Sequence, residues 1–181
     1  RTDDEHITWA FAEALGMNFV YAVEFLEITG EGDTVTEVCE HGNAVLSRYA
    51  MGSVEAYRHT ENVSWYTPPE ERDESWTTRL GGRIAVSADV QTEDDRVHFT
   101  SVHFASGILD QEVREAQAAE TIAVNADRSA PVIIGGDTNA GYYILDLSMG
   151  STLDGITQSY FDAGYSDAHA PFDLADRVTA H

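Results

Sequence analysis

The stretch Val132-Ile133-Ile134-Gly135-Gly136-Asp137-Thr138-Asn139-Ala140 (VIIGGDTNA, 132–140) decides how this chain is read. Three β-branched apolar residues predict a strand, and residues 130–136 as a whole read as a fully buried one by their unbroken apolar run. Two glycines then permit close backbone approach and unusual dihedrals. Residues two apart on an extended chain point the same way, so Asp137 and Asn139 offer their side chains to one spot at the strand end. A carboxylate there suits a hard cation, and a carboxamide adds a neutral oxygen or an N–H donor toward an anion. The same residues are also turn-prone, so the stretch by itself leaves both a site and a plain β-turn open.

Working outward, residues 4–15 pattern as a helix with Ile7, Phe11, Ala14 and Leu15 on one face and Gly16 as its stop. Residues 19–26 (FVYAVEFL) read as a strand, 27–42 as an acidic loop, and 43–48 and 54–59 as short strands. The Pro-containing, acidic stretch 60–78 is expected to be a surface loop. Segments 82–92 and 96–105 flank Glu-Asp-Asp and predict a hairpin, with Ile84, Val86, Ala88 and Val90 on one face. The clearest helix is 110–126, with an apolar stripe of Val113, Ala116, Ala119, Ile122, Ala123 and Ala126. A short helix ended by Gly164 is expected within 153–168, and the last dozen residues read as unfinished structure. Many short strands with two or three helices suggest an α/β sandwich, with its chemistry at strand ends where loops cluster.

Other residues carry chemistry in pairs of readings. His103 ends the strand HFTSVHFAS on the face of Phe99 and Ser101, opposite His98, Thr100 and Val102. It is either a structural strand-end histidine or, beside Asp137, a donor to a phosphate oxygen or a general acid–base. Asn43 opens the strand GNAVLSR and Arg48 closes it; a turn asparagine and a surface cap are the plainer assignments. Arg79 and Arg83 bracket RLGGR, where a guanidinium suits either bidentate phosphate contact or simple solvation.

Composition narrows the classes. The chain has 181 residues, enough for one domain with a real core. Asp and Glu number 32 against 10 basic residues, a formal net charge of −22, and every basic residue is Arg. A solvated acidic surface is the plain explanation. The charge also disfavours a broad duplex-binding face, without excluding nucleic acid as a partner. No apolar run reaches membrane-spanning length, and the polar, acidic start does not resemble a signal peptide. One cysteine, Cys39, rules out an internal disulfide and leaves the compartment open between cytoplasm and exterior.

The order of GNAVLSR, RLGGRIAV, TSVHFAS, REAQAAE, PVIIGGDTNA and AGYSDA resembles the endonuclease/exonuclease/phosphatase superfamily. This is the superfamily of deoxyribonuclease I, apurinic endonucleases, neutral sphingomyelinases and inositol-polyphosphate 5-phosphatases. The resemblance spans nearly the whole chain. It implies a four-layer α/β (α+β) sandwich: two packed, mostly antiparallel sheets flanked by helices, with the active site at one edge. It further implies that Asp137 and Asn139 line a metal-and-phosphate site and that His103 contacts the scissile phosphate. Asn43 and Arg83 would then bind phosphate nearby, and the cofactor would be Mg²⁺ or Mn²⁺.

Two departures stand out. Relatives carry a Gln-Glu pair at an earlier strand end, whose Glu is a principal metal ligand; no such pair occurs here. Relatives also end in an Arg-Ile-Asp-Tyr-like strand and a Ser-Asp-His motif. Ser166-Asp167-Ala168-His169 has one residue too many, and GYSDA matches a structural Gly-Phe-x-Asp-Ala element, making Asp167 structural. Residues 1–181 are accordingly expected to be the central portion of a single domain, lacking its first strand or strands and its C-terminal strands. Such a piece would expose sheet edges and be marginally stable alone.

The resulting expectation is a divalent-metal-dependent phosphoesterase. Metal-assisted in-line water attack would cleave a phosphodiester or phosphomonoester, with a small-molecule or lipid head group favoured over nucleic acid. The alternative is a non-catalytic binding or interaction domain that keeps the fold without the complete catalytic set. A general acidic cation-binding protein is disfavoured, because GDTVTEVCEHG lacks the ligand spacing of a calcium loop.

Overall fold

The computed structural model describes residues 6–107, 109–140 and 155–168. They belong to two compact units, 1–139 and 140–181. In the second unit the described residues form α3 (Gly155–Asp162), after which Gly164 takes a positive φ of 90°, as its role of helix stop requires. Asp167 lies just beyond it, while His169 and the last dozen residues fall outside the described part.

The first unit opens with α1 (Ile7–Leu15), ended by Gly16 in the left-handed conformation. β1 (Asn18–Glu31) and β2 (Thr34–Ser47) form a long hairpin, and β4 (Ser75–Gly81) pairs with the other edge of β1. The second sheet has the order β3-β5-β6-β7: β3 (Ala50–Arg58), β5 (Ile84–Gln91), β6 (Arg96–His103) and β7 (Val132–Asp137). All pairings are antiparallel except β6–β7, which α2 (Gln111–Asn125) connects. A parallel neighbour needs such a crossover.

β1 and β2 pack on β5, and α1 lies along β1, where His6 meets Tyr21 edge-on at 4.6 Å between ring centroids. On the far side α2 reaches the second sheet through Tyr57 to Thr121 (3.3 Å) and Thr100 to Asn125 (3.3 Å). The layering is therefore helix, sheet, sheet, helix, as expected. β5 lies at the centre: Ile84, Ala85, Val86, Ala88 and Val90 are all buried, so both of its faces are covered.

Five local expectations are corrected. The acidic stretch 27–42 is not a loop but the body of the β1–β2 hairpin, turning at Gly32–Asp33. Its stability comes from ladders to both neighbours of β1 and from Trp76, which lies against Gly30 and donates to the Gly32 carbonyl at 2.9 Å, rather than from a buried face. Strand 43–48 is the end of that same β2, and the expected 60–78 loop already becomes β4 at Ser75.

The buried face of α2 is also not the predicted apolar stripe. Arg114, Gln117, Ala118, Thr121 and Asn125 face inward, whereas Ala119, Ala123 and Ala126 are exposed. The polar groups survive burial because each is bonded. Arg114 donates to the carbonyls of Ala105 (3.2 Å) and Gly107 (2.6 Å). Gln117 accepts from the Ala105 amide (2.9 Å) and donates to the Glu61 carbonyl (2.9 Å). Finally, β7 is an edge strand among the described residues, with Ile133 49% exposed, instead of a fully buried one.

His59, at the end of β3, is buried and donates through Nδ1 to Glu120 of α2 (2.9 Å). Its Nε2 is buried without a partner, against Phe104 at 5.5 Å between centroids. Burial pushes the imidazole below its ordinary 6.5, with Glu120 pulling the other way. The unfolded chain then binds this proton more readily than the folded one. The contribution is therefore fully present above 6.5 and declines as pH falls through that value, levelling off below the folded pKa. Urea midpoints measured from about pH 7 to 5.5 are expected to fall. In His59→Gln they should fall less steeply; parallel curves for the two proteins would refute this.

Candidate phosphate-binding corner

β6 and β7 end side by side, with His103 and Asp137 as register partners. Partners in a parallel ladder share a face, and His103 Nε2 lies 3.9 Å from Asp137 Oδ2. The chain turns sharply beyond. Gly136 takes φ 135°, Asn139 takes φ 47°, and the Asn139 amide N–H caps Asp137 Oδ1 at 2.9 Å. Asn139 donates its side-chain nitrogen to the Phe104 carbonyl (2.9 Å), which leaves its carbonyl oxygen for a ligand. Of the two alternatives foreseen for this stretch the turn is present, an Asx-type turn in which the Asp137 side chain is 66% exposed.

Behind His103 lies a buried ion pair. Glu24 on β1 is 1% exposed and Arg83 2%, and the Arg83 guanidinium bonds directly to the Glu24 carboxylate. Arg83 Nη1 also lies 2.8 Å from His103 Nδ1, Nη2 donates to Ser106 Oγ (3.2 Å), and Glu24 Oε2 sits 3.2 Å from the same Nδ1. One ring nitrogen cannot accept from Arg83 and donate to Glu24 at once. When Arg83 donates, the ring proton resides on Nε2 and faces Asp137; when Nδ1–H donates to Glu24, a neutral ring has a lone pair there instead. The buried pair therefore sets what His103 offers at the surface.

A β-bulge makes this possible. In the β1–β2 register Val23 pairs with Gly42 and Phe25 with His41, leaving Glu24 as the extra residue. Before the bulge, Tyr21 faces α1; after it, Phe25 lies on the Arg83 side, 5.8 Å from the guanidinium carbon. The bulge thus turns Glu24 and Phe25 to the same side. Arg83 is held from above by Trp65 (4.7 Å to the ring centroid), and its own N–H donates to Asn62 Oδ1 (2.6 Å).

Of the residues singled out from sequence, His103, Asp137, Asn139 and Arg83 converge here. Arg83 does so from the interior. Asn43 is 7% exposed and donates to the Ile84 carbonyl (2.8 Å), tying β2 to β5 one residue from Arg83. Glu24, Ser106, Asn62 and Trp65 were not anticipated. Only Glu24 left a sequence signal, a lone carboxylate between Val23 and Phe25 in an apolar run, where an unpaired charge would be costly.

As a metal site the described residues fall short. Asp137 and Asn139 are suitable oxygen donors, but Glu24 is already bonded to Arg83 and His103. Among the described residues no group of three or more His, Cys, Asp or Glu side chains is placed to hold an ion.

Known proteins place the chain. No curated protein matches its sequence. Among solved structures it is similar to an endonuclease/exonuclease/phosphatase family protein from Leptotrichia buccalis, at 17% identity and a TM-score of 0.55 over 89% of this chain and 54% of that one. It is also similar to the human Nocturnin catalytic domain with bound sulfate anion, at 11% identity and a TM-score of 0.57 over 98% of this chain and 58% of that one. The chain thus spans somewhat more than half the length of these structures. The sequence pattern of the Endonuclease/Exonuclease/phosphatase family matches residues 2–174, so the chain belongs to that family.

Proposed function

We propose that His103 at this corner donates through Nε2 to the phosphoryl group of a phosphoester, with the Asp137 and Asn139 oxygens beside it left for a cation or for a donor on the ligand, and that the described residues do so without assembling a metal centre of their own. The observation that supports this is the coupling of His103 to the buried Glu24–Arg83 pair, which can hold its Nε2 proton toward the strand-end oxygens. Arg83, 2% exposed, acts in this reading by positioning His103 rather than by touching phosphate. Family membership supports a phosphoester as the ligand class and a phosphoesterase-type function in general.

A second reading, metal-dependent hydrolysis, is favoured by the same membership. In it Asp137 and Asn139 contribute oxygens to Mg²⁺ or Mn²⁺, and the further ligands come from outside the described residues. When bound, the ion would polarise the phosphoryl oxygen.

The two readings predict different results for Asp137→Asn. Without a metal, the Asp137 carboxylate repels a bound phosphate, so removing its charge should tighten inorganic phosphate binding by about 1 kcal/mol, roughly fivefold. Calorimetric titration of both proteins measures this, and weaker binding by the variant would count against the proposal. Hydrolysis of bis(p-nitrophenyl) phosphate that requires Mg²⁺ or Mn²⁺ and disappears in Asp137→Asn would establish the second reading instead.

A further inference from the structure

The groups of the corner are tied to one short segment, residues 104–106, which leaves β6 just past His103. The Phe104 amide donates to the Asp137 carbonyl (2.9 Å), and its carbonyl accepts from the Asn139 side chain (2.9 Å). Ser106 Oγ accepts from Arg83 Nη2 (3.2 Å). Between them Ala105 is fully buried, and α2 bonds both of its backbone groups. Gln117 accepts from the Ala105 amide (2.9 Å), and Arg114 donates to the Ala105 carbonyl (3.2 Å).

Gln117, itself fully buried, reaches further. Its Nε2 donates to the Glu61 carbonyl (2.9 Å), next to Asn62, whose Oδ1 accepts the Arg83 backbone amide (2.6 Å). Asn62 is tied back to the His59 carbonyl (2.5 Å). One side chain therefore bridges the two segments that hold Arg83: 59–62 at its backbone and 104–106 at its guanidinium. The carboxamide has one workable orientation. Reversed, it would set N–H against N–H and carbonyl against carbonyl.

Arg83 Nη1 bonds both the Glu24 carboxylate and His103 Nδ1, while Ser106 fixes Nη2. Held so, Arg83 donates to Nδ1, and the ring proton lies on Nε2, the form that donates to a phosphoryl oxygen. Released at Ser106, the guanidinium can turn wholly onto Glu24, and Nδ1–H then donates to Glu24 Oε2, 3.2 Å away. Resting on the phosphate-binding reading, we infer that Gln117 is a positioning residue for His103: by bridging the two segments it holds Arg83 in the orientation that keeps the ring proton on Nε2.

Nitrogen-15 NMR of the histidines in the intact chain reads the His103 tautomer on the neutral ring, and calorimetric titration with inorganic phosphate reads its consequence. The Nε2–H form is expected to predominate in the unaltered chain. Gln117→Met, of similar length without the carboxamide, should shift the ring toward Nδ1–H and weaken phosphate binding about tenfold, the worth of one hydrogen bond to a charged group. Thr121→Val is the matched control. Thr121 is also fully buried on α2, one turn on, but bonds the Gln117 carbonyl of its own helix (2.8 Å) and Tyr57 (3.3 Å). Its replacement should lower stability and leave tautomer and affinity unchanged. Ser106→Ala, at an exposed position, removes the last link to the guanidinium; it should reproduce the tautomer shift, and it decides the matter if Gln117→Met does not fold. An Nδ1–H ring in the unaltered chain, an unchanged tautomer in folded Gln117→Met or in Ser106→Ala, or an equal shift in Thr121→Val overturns the inference. A tautomer shift with phosphate binding absent or unaffected sustains the positioning role and overturns the phosphate reading.

Discussion

Glu24→Ala is expected to destabilise the protein by about 3–5 kcal/mol, because it strands the Arg83 guanidinium in the interior without its counter-charge. The side chains of Glu24 and Arg83 are 1% and 3% exposed, so water cannot take over. Against a total stability of about 5–15 kcal/mol, such a loss leaves a small margin at best. Urea unfolding monitored by tryptophan fluorescence measures it. The double variant Glu24→Leu/Arg83→Met should recover most of the stability, since a buried ion pair replaced by apolar side chains of similar volume is often neutral. It should not recover phosphate binding, because His103 loses both partners at Nδ1. A loss under about 1 kcal/mol for Glu24→Ala would mean that water or a rearranged side chain reaches Arg83.

Gly136→Ala is the second change expected to be severe. At φ 135° an L side chain is strained, and the added Cβ would fall on the Val102 carbonyl oxygen of β6. Backbone cannot swing aside as a long side chain can, so β7 has to part from β6 at the position where Asp137 is presented. Strain of this kind costs about 1–3 kcal/mol, and the clash adds to it. A loss of at least about 3 kcal/mol is expected, together with loss of phosphate binding. Gly135→Ala is the control: the position has a negative φ and open space around its Cβ, so little change is expected. Equal behaviour of the two variants would show that the β6–β7 edge is pliable and that the second glycine is not a conformational requirement.

Much of the fold was legible because its signals are local. The β5–β6 hairpin follows from alternation on either side of a polar turn, the limits of α2 follow from periodicity, and the end of α1 follows from Gly16, although that helix begins at Ile7 and not at residue 4. The inward face of α2 was not legible. Hydrophobicity singles out Val113, Ile122 and the alanines, while the fold buries Arg114, Gln117, Thr121 and Asn125 against carbonyls and amides that the helix itself does not contain. The β1–β2 hairpin was hidden for the opposite reason: its acidic outer half is held by ladders rather than by an apolar face. The edge position of β7 was equally invisible, since a run of Val and Ile looks the same at the centre of a sheet and at its margin.

The candidate site divides along the same line. Asp137, Asn139 and His103 could be named from the sequence because strand ends and turn-forming residues are short-range features, governed by alternation and by the few dihedrals that glycine and asparagine tolerate. Whether they meet, and what stands behind them, was decided by tertiary structure alone. Glu24 finds Arg83 59 residues away and His103 79 residues away, and it does so only because one extra residue in β1 redirects its side chain inward. The value of a charge depends on its removal from water and on its partners, and both are collective properties of the packed sheets. The sequence by itself therefore determined which groups are available at the strand ends, while packing determined which are desolvated, paired and aimed.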